Sequence, residues 1–502
     1  MRILWIDDEI DMFRPFIYAL KDKGYEVETA TNGPDGIELQ KTRDFDLVLL
    51  DEIMTGMDGL EVLSRLKAAD PNLQVAMVTK SDEEVLINEA YGKLVDDFII
   101  KPFTPVQLLA VVKRLLEKQK IVGGRIGTEY MTASGRDRDA RDWPGWITVY
   151  RSILHWQRLL GRYGDAGLQD VQADRRREAN EQFCRYVEEN YRDWLAGKGP
   201  VMSNRFMETF VRPQWEQAPT YLVIFDSMRL DQWDALVPLL RDYFSIDTQE
   251  YCAILPTATP YARNAIFSGM LPHEIWRRYP KYWVFEETGQ NRHEAQLLDG
   301  LLERLRFGGR SAYVKIAHGD ELEGARSTLL DRGVRFTAVV INFLDLLIHA
   351  VRQTRLLDEI VPDDAALVGL TRVWFASSPV FEFLKTLARR GARVVITSDH
   401  GFIRVRRPTL IYGSREISAN LRYKYGPALR AEEREAVVLN RPEDWQLPIE
   451  MPTSKFAIAK SDHYFIYPTK PREYEKTYKY TLQHGGLSME EMIVPVATLR
   501  PR

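Results

Sequence analysis

The stretch Leu47-Val48-Leu49-Leu50-Asp51-Glu52-Ile53-Met54 is an apolar block that runs straight into acidic residues. A short apolar run with polar flanks reads as a buried strand, here one that ends on a carboxylate. Similar blocks stand at Ile3 to Ile6, Tyr25 to Thr29, Val75 to Val78 and Phe98 to Ile100. Amphipathic stretches fill the gaps. This alternation predicts a five-stranded parallel sheet with helices on both faces. A closing helix is expected over Thr104 to Lys118, opened by the Thr-Pro pair.

The ends of these strands carry the chemistry. Asp7 and Asp8 follow the first, Asp51 ends the third, and Lys101 follows the fifth. Three neighbouring carboxylates repel one another, and a hard divalent cation with oxygen ligands, Mg²⁺, relieves that repulsion. The same cation would neutralise a phosphoryl group on Asp51, with Lys101 and the Thr79 hydroxyl contacting its oxygens.

Outward from there the texture changes. Residues 119 to 144 are rich in Gly, Arg and Asp with little periodicity and read as a linker. Residues 146 to 212 have helical spacing and read as a small bundle, a spacer or dimerisation element, with no recognition-helix motif or basic stripe. At Thr220 a second α/β pattern begins, with strands expected at Tyr221 to Phe225, Ala253 to Leu255, Ala312 to Ile316, Ala338 to Ile341 and Val394 to Thr397. The expected division is 1–118, 119–215 and 216–502.

Five motifs punctuate the last part: Asp226-Ser227-Met228-Arg229, Pro256-Thr257-Ala258-Thr259-Pro260, Asp345 with His349, Ser398-Asp399-His400-Gly401, and His484-Gly485-Gly486. Asp345 and His349 are four apart, so on a helix both face one ion. Asp399 and His400 are adjacent, but at a strand end entering a glycine turn both can reach a metal, and zinc accepts this mixture of nitrogen and oxygen. A lone histidine is more often structural than a ligand. Here three of eight histidines stand near aspartate or glycine at expected element ends. Two-metal phosphoryl transfer needs such a set. Thr259 is preferred to Thr257 as nucleophile because Pro260 fits a first helical turn, whose amides would face a phosphate.

Length and composition bound the rest. A chain of 502 residues exceeds one ordinary core. Its 45% hydrophobic and 28% charged content is that of a soluble protein. No apolar run reaches the length of a membrane span, and the first residues lack a signal pattern, so no membrane association and a cytoplasmic location are expected. Cys184 and Cys252 make neither a disulfide framework nor a thiolate metal site. A net charge of -4 excludes a globally basic nucleic-acid binder.

Residues 1 to 118 resemble the receiver domain of response regulators, a doubly wound (βα)5 fold. The resemblance makes Asp51 the phosphoacceptor and Asp7 with Asp8 the magnesium pair; Thr79, Phe98 and Lys101 become the switch threonine, rotating aromatic and phosphate-contacting lysine. Thr55 stands where the family usually has proline, and Lys80 where a small residue usually follows the switch threonine. Residues 218 to 500 resemble the alkaline phosphatase superfamily, an α/β sandwich. Their Pro-Thr-x-Thr segment is similar to its phosphodiesterase branch, and His484-Gly-Gly-Leu-Ser-Met-Glu-Glu is similar to the PglZ family. By that resemblance Asp226, Thr259, Asp399 and His400 hold one zinc, and Asp345, His349 and His484 a second. Thr259 cannot supply the aldehyde that sulfatases use, which argues for phosphate esters.

A receiver joined through a helical bundle to a PglZ-type domain is similar to the response regulators of type IX secretion. That implies a sensor histidine kinase and a sigma factor as partners, a homodimer on phosphorylation, and phosphodiesterase activity on cyclic or linear oligonucleotides. Cations and aromatics interleave between Phe402 and Tyr480, with Asn264, Lys476 and Lys479 as candidate substrate contacts. A solvated strand face explains that interleaving nearly as well. The alternatives are a catalytically quiet adaptor that binds a sigma factor, and a phosphomonoesterase.

Overall fold

In the first of two units, β1 (Arg2–Ile6), β2 (Glu26–Ala30), β3 (Leu47–Asp51), β4 (Gln74–Thr79) and β5 (Asp97–Ile100) form one parallel sheet in the order β2-β1-β3-β4-β5. The computed structural model describes residues 1–43, 45–70, 73–80, 95–133, 140–163, 166–285, 289–351, 355–413 and 418–502. Its two units are Met1–Thr132 with Arg162–Ala166, and Ala133–Gly161 with Gly167–Arg502. Successive side chains of a strand alternate between faces, and both faces of this sheet are apolar. Ile3, Trp5, Leu47 and Leu49 enter one core; Leu4, Ile6, Val48 and Leu50 enter the other.

The helices α1 (Arg14–Asp22), α2 (Gly33–Thr42), α3 (Gly59–Ala69) and α4 (Pro105–Leu116) cover those faces. Asn32 caps α2 and Asp58 caps α3, each accepting from an amide three residues on. Thr104 and Gln107 form a capping box at α4, as the Thr-Pro pair predicts. A Cβ on Gly59 would sit 2.2 Å from the Asp51 carbonyl, so the turn that returns beneath the acidic site needs glycine. The helical pattern between β4 and β5 falls on 81–94, outside the described residues.

The expected linker is not irregular at its start. Residues Lys118–Ala133 form α5 despite Gly123 and Gly124, each of which costs a helix about 1 kcal/mol relative to alanine. Ile126 and Tyr130, four apart and both buried, give the helical spacing that the glycines obscure. The remainder of the Gly/Arg/Asp stretch, 134–139, lies outside the described residues.

In the second unit, α6 (Trp143–Tyr163) and α7 (Ala166–Leu195) make the helical middle region. Its core is continuous with that of the sheet that follows. Trp146, Tyr150 and Ile153 of α6 and Phe183, Val187, Tyr191 and Trp194 of α7 share one core with Leu222, Ile224 and Tyr251 of the following sheet. That sheet comprises β6 (Thr220–Phe225), β7 (Phe244–Cys252), β8 (Arg310–Ile316), β9 (Val334–Ile341), β10 (Arg393–Thr397) and β11 (Ile493–Pro501), in the order β7-β11-β10-β6-β9-β8. β10, β6, β9 and β8 are parallel, and β11 runs antiparallel between β10 and β7. Tyr221, Val223 and Phe225 point into a second core on the opposite face.

One expected strand is displaced. The strand ends at Cys252, and Ala253 to Leu255 lie beyond it. Their amides leave the ladder for the Met492 carbonyl, the Ser203 hydroxyl and the Tyr191 hydroxyl, at 2.9, 3.2 and 2.7 Å. The helix α8 (Thr259–Ser268) then begins at the Thr-Pro pair and stops at Gly269, whose φ is 63°. Helices α9 (Phe343–Ala350) and α10 (Asp364–Ser377) follow β9. Among the described residues no helix is long and apolar enough to cross a membrane.

Candidate functional site

The carboxyl ends of β6, β9 and β10 lie side by side, the place where ligands collect on open parallel sheets. Asp226 directly follows β6, and its N–H donates to the Ile341 carbonyl at the end of β9 at 2.9 Å. Asp345 and His349 stand on α9, one turn apart, and Asp399 and His400 follow β10. His484 arrives on a short ribbon in which Leu482–Gln483 pairs with Ile403–Arg404. Two groups result, Asp226 with Asp399 and His400, and Asp345 with His349 and His484; within each, one ligand atom per residue lies within 4.8 Å of the others. Stacked rings of His400 and His484, 4.5 Å between centroids, join the groups.

The first group is buried and the second opens outward, since the His349 side chain is 47% exposed. The Thr259 hydroxyl sits at the first group, 3.1 Å from His400 Nε2 and 3.4 Å from Asp226 Oδ1. Thr257 is otherwise engaged: fully buried, it donates its hydroxyl to the Gly486 carbonyl at 2.6 Å. Pro260 has no amide, and those of Tyr261 and Ala262 donate to the Ala258 carbonyl. Two of the amides expected to face a phosphate are therefore already bonded within the helix turn.

Several atoms are prepared for a cation. His400 Nδ1 lies 3.0 Å from the Gly401 carbonyl, the partner that fixes a ligating imidazole with Nε2 free. Asp399 Oδ1 accepts from the amides of Ser227 and His400 at 3.2 and 3.1 Å, while its buried Oδ2 accepts no hydrogen bond among the described residues. Burial, reinforced by the negative Asp226 beside it, pushes the Asp399 carboxyl well above the usual range. Burial holds His400 below its ordinary value, and burial with the neighbouring His400 pushes His484 down to about 4, shifts in the direction of the neutral imidazole that ligates a metal. At Asp345 burial is outweighed by the His349 hydrogen bond and by His484, and the carboxyl lies below its usual range. The donor set fits a pair of borderline metal ions such as zinc.

Residues that the motifs did not single out complete the site. Arg263, one turn after Thr259 on α8 and 1% exposed, donates to Asp226 Oδ2 at 2.5 Å and lies 3.8 Å from Asp399 Oδ2. Glu294, itself bonded to Tyr313, fixes that guanidinium. The four-residue spacing from Thr259 was the available signal. Asp364, on α10, takes Arg229, Arg176 and Arg404 at 3.1, 3.2 and 3.2 Å, and nothing local marked it.

The candidate substrate contacts fare differently. Asn264 is buried, its Nδ2 donating to the Gln290 carbonyl and its Oδ1 accepting from Asn291. Lys476 is exposed on the helix Pro471–Tyr478, and Lys479 pairs with Glu475 at 2.9 Å. Much of the interleaved cation and aromatic set is used internally. Arg404 pairs with Asp364, Arg407 with Asp462, and buried Lys424 donates to the Ser418 carbonyl and Tyr467.

In the first unit, Asp7, Asp8 and Asp51 form a third group able to hold a cation. Lys101 Nζ donates to Asp51 Oδ1 at 2.8 Å and to Asp7 Oδ2 at 3.0 Å. Burial raises the Asp51 carboxyl, against the pull of Lys101. Thr79 ends β4 in a buried position, and Phe98 packs partly against the Leu4 and Ile6 core. Lys80 is exposed.

An acidic, lysine-bridged pocket on a parallel (βα) sheet, followed by an α/β unit with two prepared metal groups, defines a response regulator with an alkaline-phosphatase-like output domain. Residues 3–113 match the response regulator receiver domain, 126–195 the PorX response regulator linker domain, and 206–499 the BREX system PglZ alkaline phosphatase-like domain. The chain belongs to the PglZ alkaline phosphatase-like family, and its order of receiver, linker and PglZ domain is that of a PorX-type response regulator. Among curated proteins it is 36% identical over 119 residues to the alginate biosynthesis transcriptional regulatory protein AlgB of Pseudomonas aeruginosa, which covers 24% of this chain and 26% of that one. It is 33% identical over 122 residues to the alkaline phosphatase synthesis transcriptional regulatory protein PhoP of Bacillus subtilis, covering 24% and 50%. The chain thus spans from a quarter to half the length of these relatives. Among solved structures, the receiver domain of NtrX from Brucella abortus is 33% identical with a TM-score of 0.22, covering 23% of this chain and 98% of that one.

Proposed function

We propose that this response regulator is a zinc-dependent phosphodiesterase, controlled by phosphorylation of Asp51, with Thr259 as nucleophile and cyclic or linear oligonucleotides as substrates. The observation that carries the reading is the Thr259 hydroxyl, 3.1 Å from His400 Nε2 and 3.4 Å from Asp226 Oδ1, in a buried group of ligands. An adaptor has no need for a hydroxyl so placed.

Asp226, Asp399 and His400, with Thr259, would hold one ion, and Asp345, His349 and His484 the other. Zinc bound there supplies the positive charge that makes an alcohol acidic at neutral pH and stabilises the leaving oxygen. The chain's own residues do the positioning. The α8 backbone presents Thr259, the Gly401 carbonyl orients His400, and Arg263 holds Asp226 from behind. The opening at His349 admits the ester and then the water that cleaves the phosphoryl–Thr259 bond, returning the hydroxyl and releasing the phosphate product.

In the receiver, Asp7, Asp8 and Asp51 would bind Mg²⁺, and Lys101 would contact the phosphoryl group passed on by a sensor histidine kinase. Type IX secretion, a sigma-factor partner and a phosphorylation-dependent homodimer rest on the PorX-type domain order, and a cytoplasmic location on the sequence pattern. Turnover of bis(p-nitrophenyl) phosphate with metal analysis tests the catalytic reading: about two zinc ions per chain are expected, and a loss of at least about a thousandfold in Thr259→Ala. Equal rates for the two proteins would discard Thr259 as nucleophile.

A further inference from the structure

Ser227, directly after the carboxylate that follows β6, is fully buried with a φ of 65°. That left-handed conformation strains any residue with a side chain and costs glycine nothing. The chain nevertheless keeps serine here, and strain of this kind persists where the surroundings fix the residue for a purpose. What serine adds over glycine is a hydroxyl, and this one donates to Asp345 Oδ1 at 3.1 Å. The backbone N–H of the same residue donates to Asp399 Oδ1 at 3.2 Å.

Asp399 and Asp345 belong to different ligand groups. Asp345 Oδ1 is also the atom that faces both outer imidazoles, 3.4 Å from His349 Nε2 and 3.6 Å from His484 Nε2. The turn itself is clamped from the β10 side: the Met228 amide donates to the Ser398 hydroxyl at 2.8 Å, and that hydroxyl lies 2.7 Å from the His400 carbonyl. One residue therefore reaches a carboxylate of each group, one through its backbone and the other through its side chain.

We propose that Ser227 is a positioning residue that sets the two metal groups at a fixed spacing, its amide holding Asp399 and its hydroxyl holding Asp345. The inference rests on the two-metal reading above. It makes an asymmetric demand. Loss of the hydroxyl frees Asp345 and leaves the Asp399 tether intact, so only the Asp345, His349 and His484 group weakens, by about tenfold, as metal sites do when the partner orienting a ligand is lost.

The test titrates zinc into metal-stripped, full-length protein against a chromophoric chelator. Wild type, Ser227→Ala and Ser227→Gly are compared, each also in a His349→Ala background that leaves the first group complete. Expected are two ions in the wild type, a roughly tenfold weaker second ion in both Ser227 variants, and no difference among the three in the His349→Ala background. Ser227→Gly removes the hydroxyl while relieving the backbone, so a loss shared with Ser227→Ala comes from the hydroxyl; melting of the metal-free proteins checks folding. Unchanged affinity in both variants, or an equal loss in the His349→Ala background, overturns the proposal. A wild-type protein that takes up no zinc overturns the two-metal reading before any variant is compared, and this inference with it.

Discussion

Thr55 donates both its backbone N–H and its hydroxyl to a single oxygen of Asp8, Oδ2, at 3.0 and 2.9 Å. The amide bond leads the causes that draw the Asp8 carboxyl below its ordinary value. A proline at this position, usual in receivers, has no N–H and no hydroxyl to offer. The departure thus places two donors on one oxygen of an acidic residue and leaves the other for a cation. Thr55→Pro is expected to weaken Mg²⁺ binding about tenfold by isothermal titration calorimetry. Equal affinity in the two proteins would show that the tether does not orient Asp8.

Asp364 is a buried carboxylate shared by three arginines, from α7, from the turn after β6 and from the segment after His400. Burial opposes its charge, but the guanidinium groups led by Arg229 outweigh it and hold the carboxyl far below the usual range. Asp364→Ala leaves three cations short of a partner; because Arg176 keeps Glu490 and Arg229 keeps Asp231, the loss should be about 3 kcal/mol, the low end for a broken buried pair. Urea unfolding followed by tryptophan fluorescence measures it. A change below about 0.5 kcal/mol, the ordinary range for a surface substitution, would contradict it.

His463 is buried on the strand His463–Ile466, its Nδ1 2.8 Å from the Thr409 hydroxyl. Burial, then the positive Arg407, pushes the imidazole down to about 4. The folded value lies below the unfolded value of about 6.5, so the full stability is present above pH 6.5 and is lost as pH falls from there towards 4. The wild type should therefore lose up to about 1.4 kcal/mol per pH unit more than His463→Gln across that window. Parallel stability curves for the two proteins between pH 7 and 4 would refute this.

Much of this architecture could be read from residues alone, for identifiable reasons. Strands buried on both faces leave unbroken apolar blocks, and Leu47 to Leu50 and Tyr221 to Phe225 stand in the sheets as expected. The Thr259 and Pro260 pair announced its helix because proline fits a first turn. Ala253 to Leu255 misled because their burial comes from packing under α7, whereas strand identity depends on where amides bond. Ser227 and Asp364 were silent, and Arg263 offered only its spacing from Thr259, because their bonds run to partners distant in sequence: Asp345 and Asp399, Arg229 with Arg176 and Arg404, and Glu294. A left-handed serine has no local mark, since only glycine advertises that conformation.

The shared core of α6, α7 and the mixed sheet bears on how this output could be inherited or transplanted. A fragment cut at residue 216 would strip away the aromatic wall of Trp146, Tyr150, Phe183, Tyr191 and Trp194 and remove Arg176 from Glu490. Such a piece would present bare hydrocarbon to water and aggregate. The smallest portable output unit therefore starts ahead of Trp143, and shuffling that grafts new sensors onto it must carry both helices along as cargo.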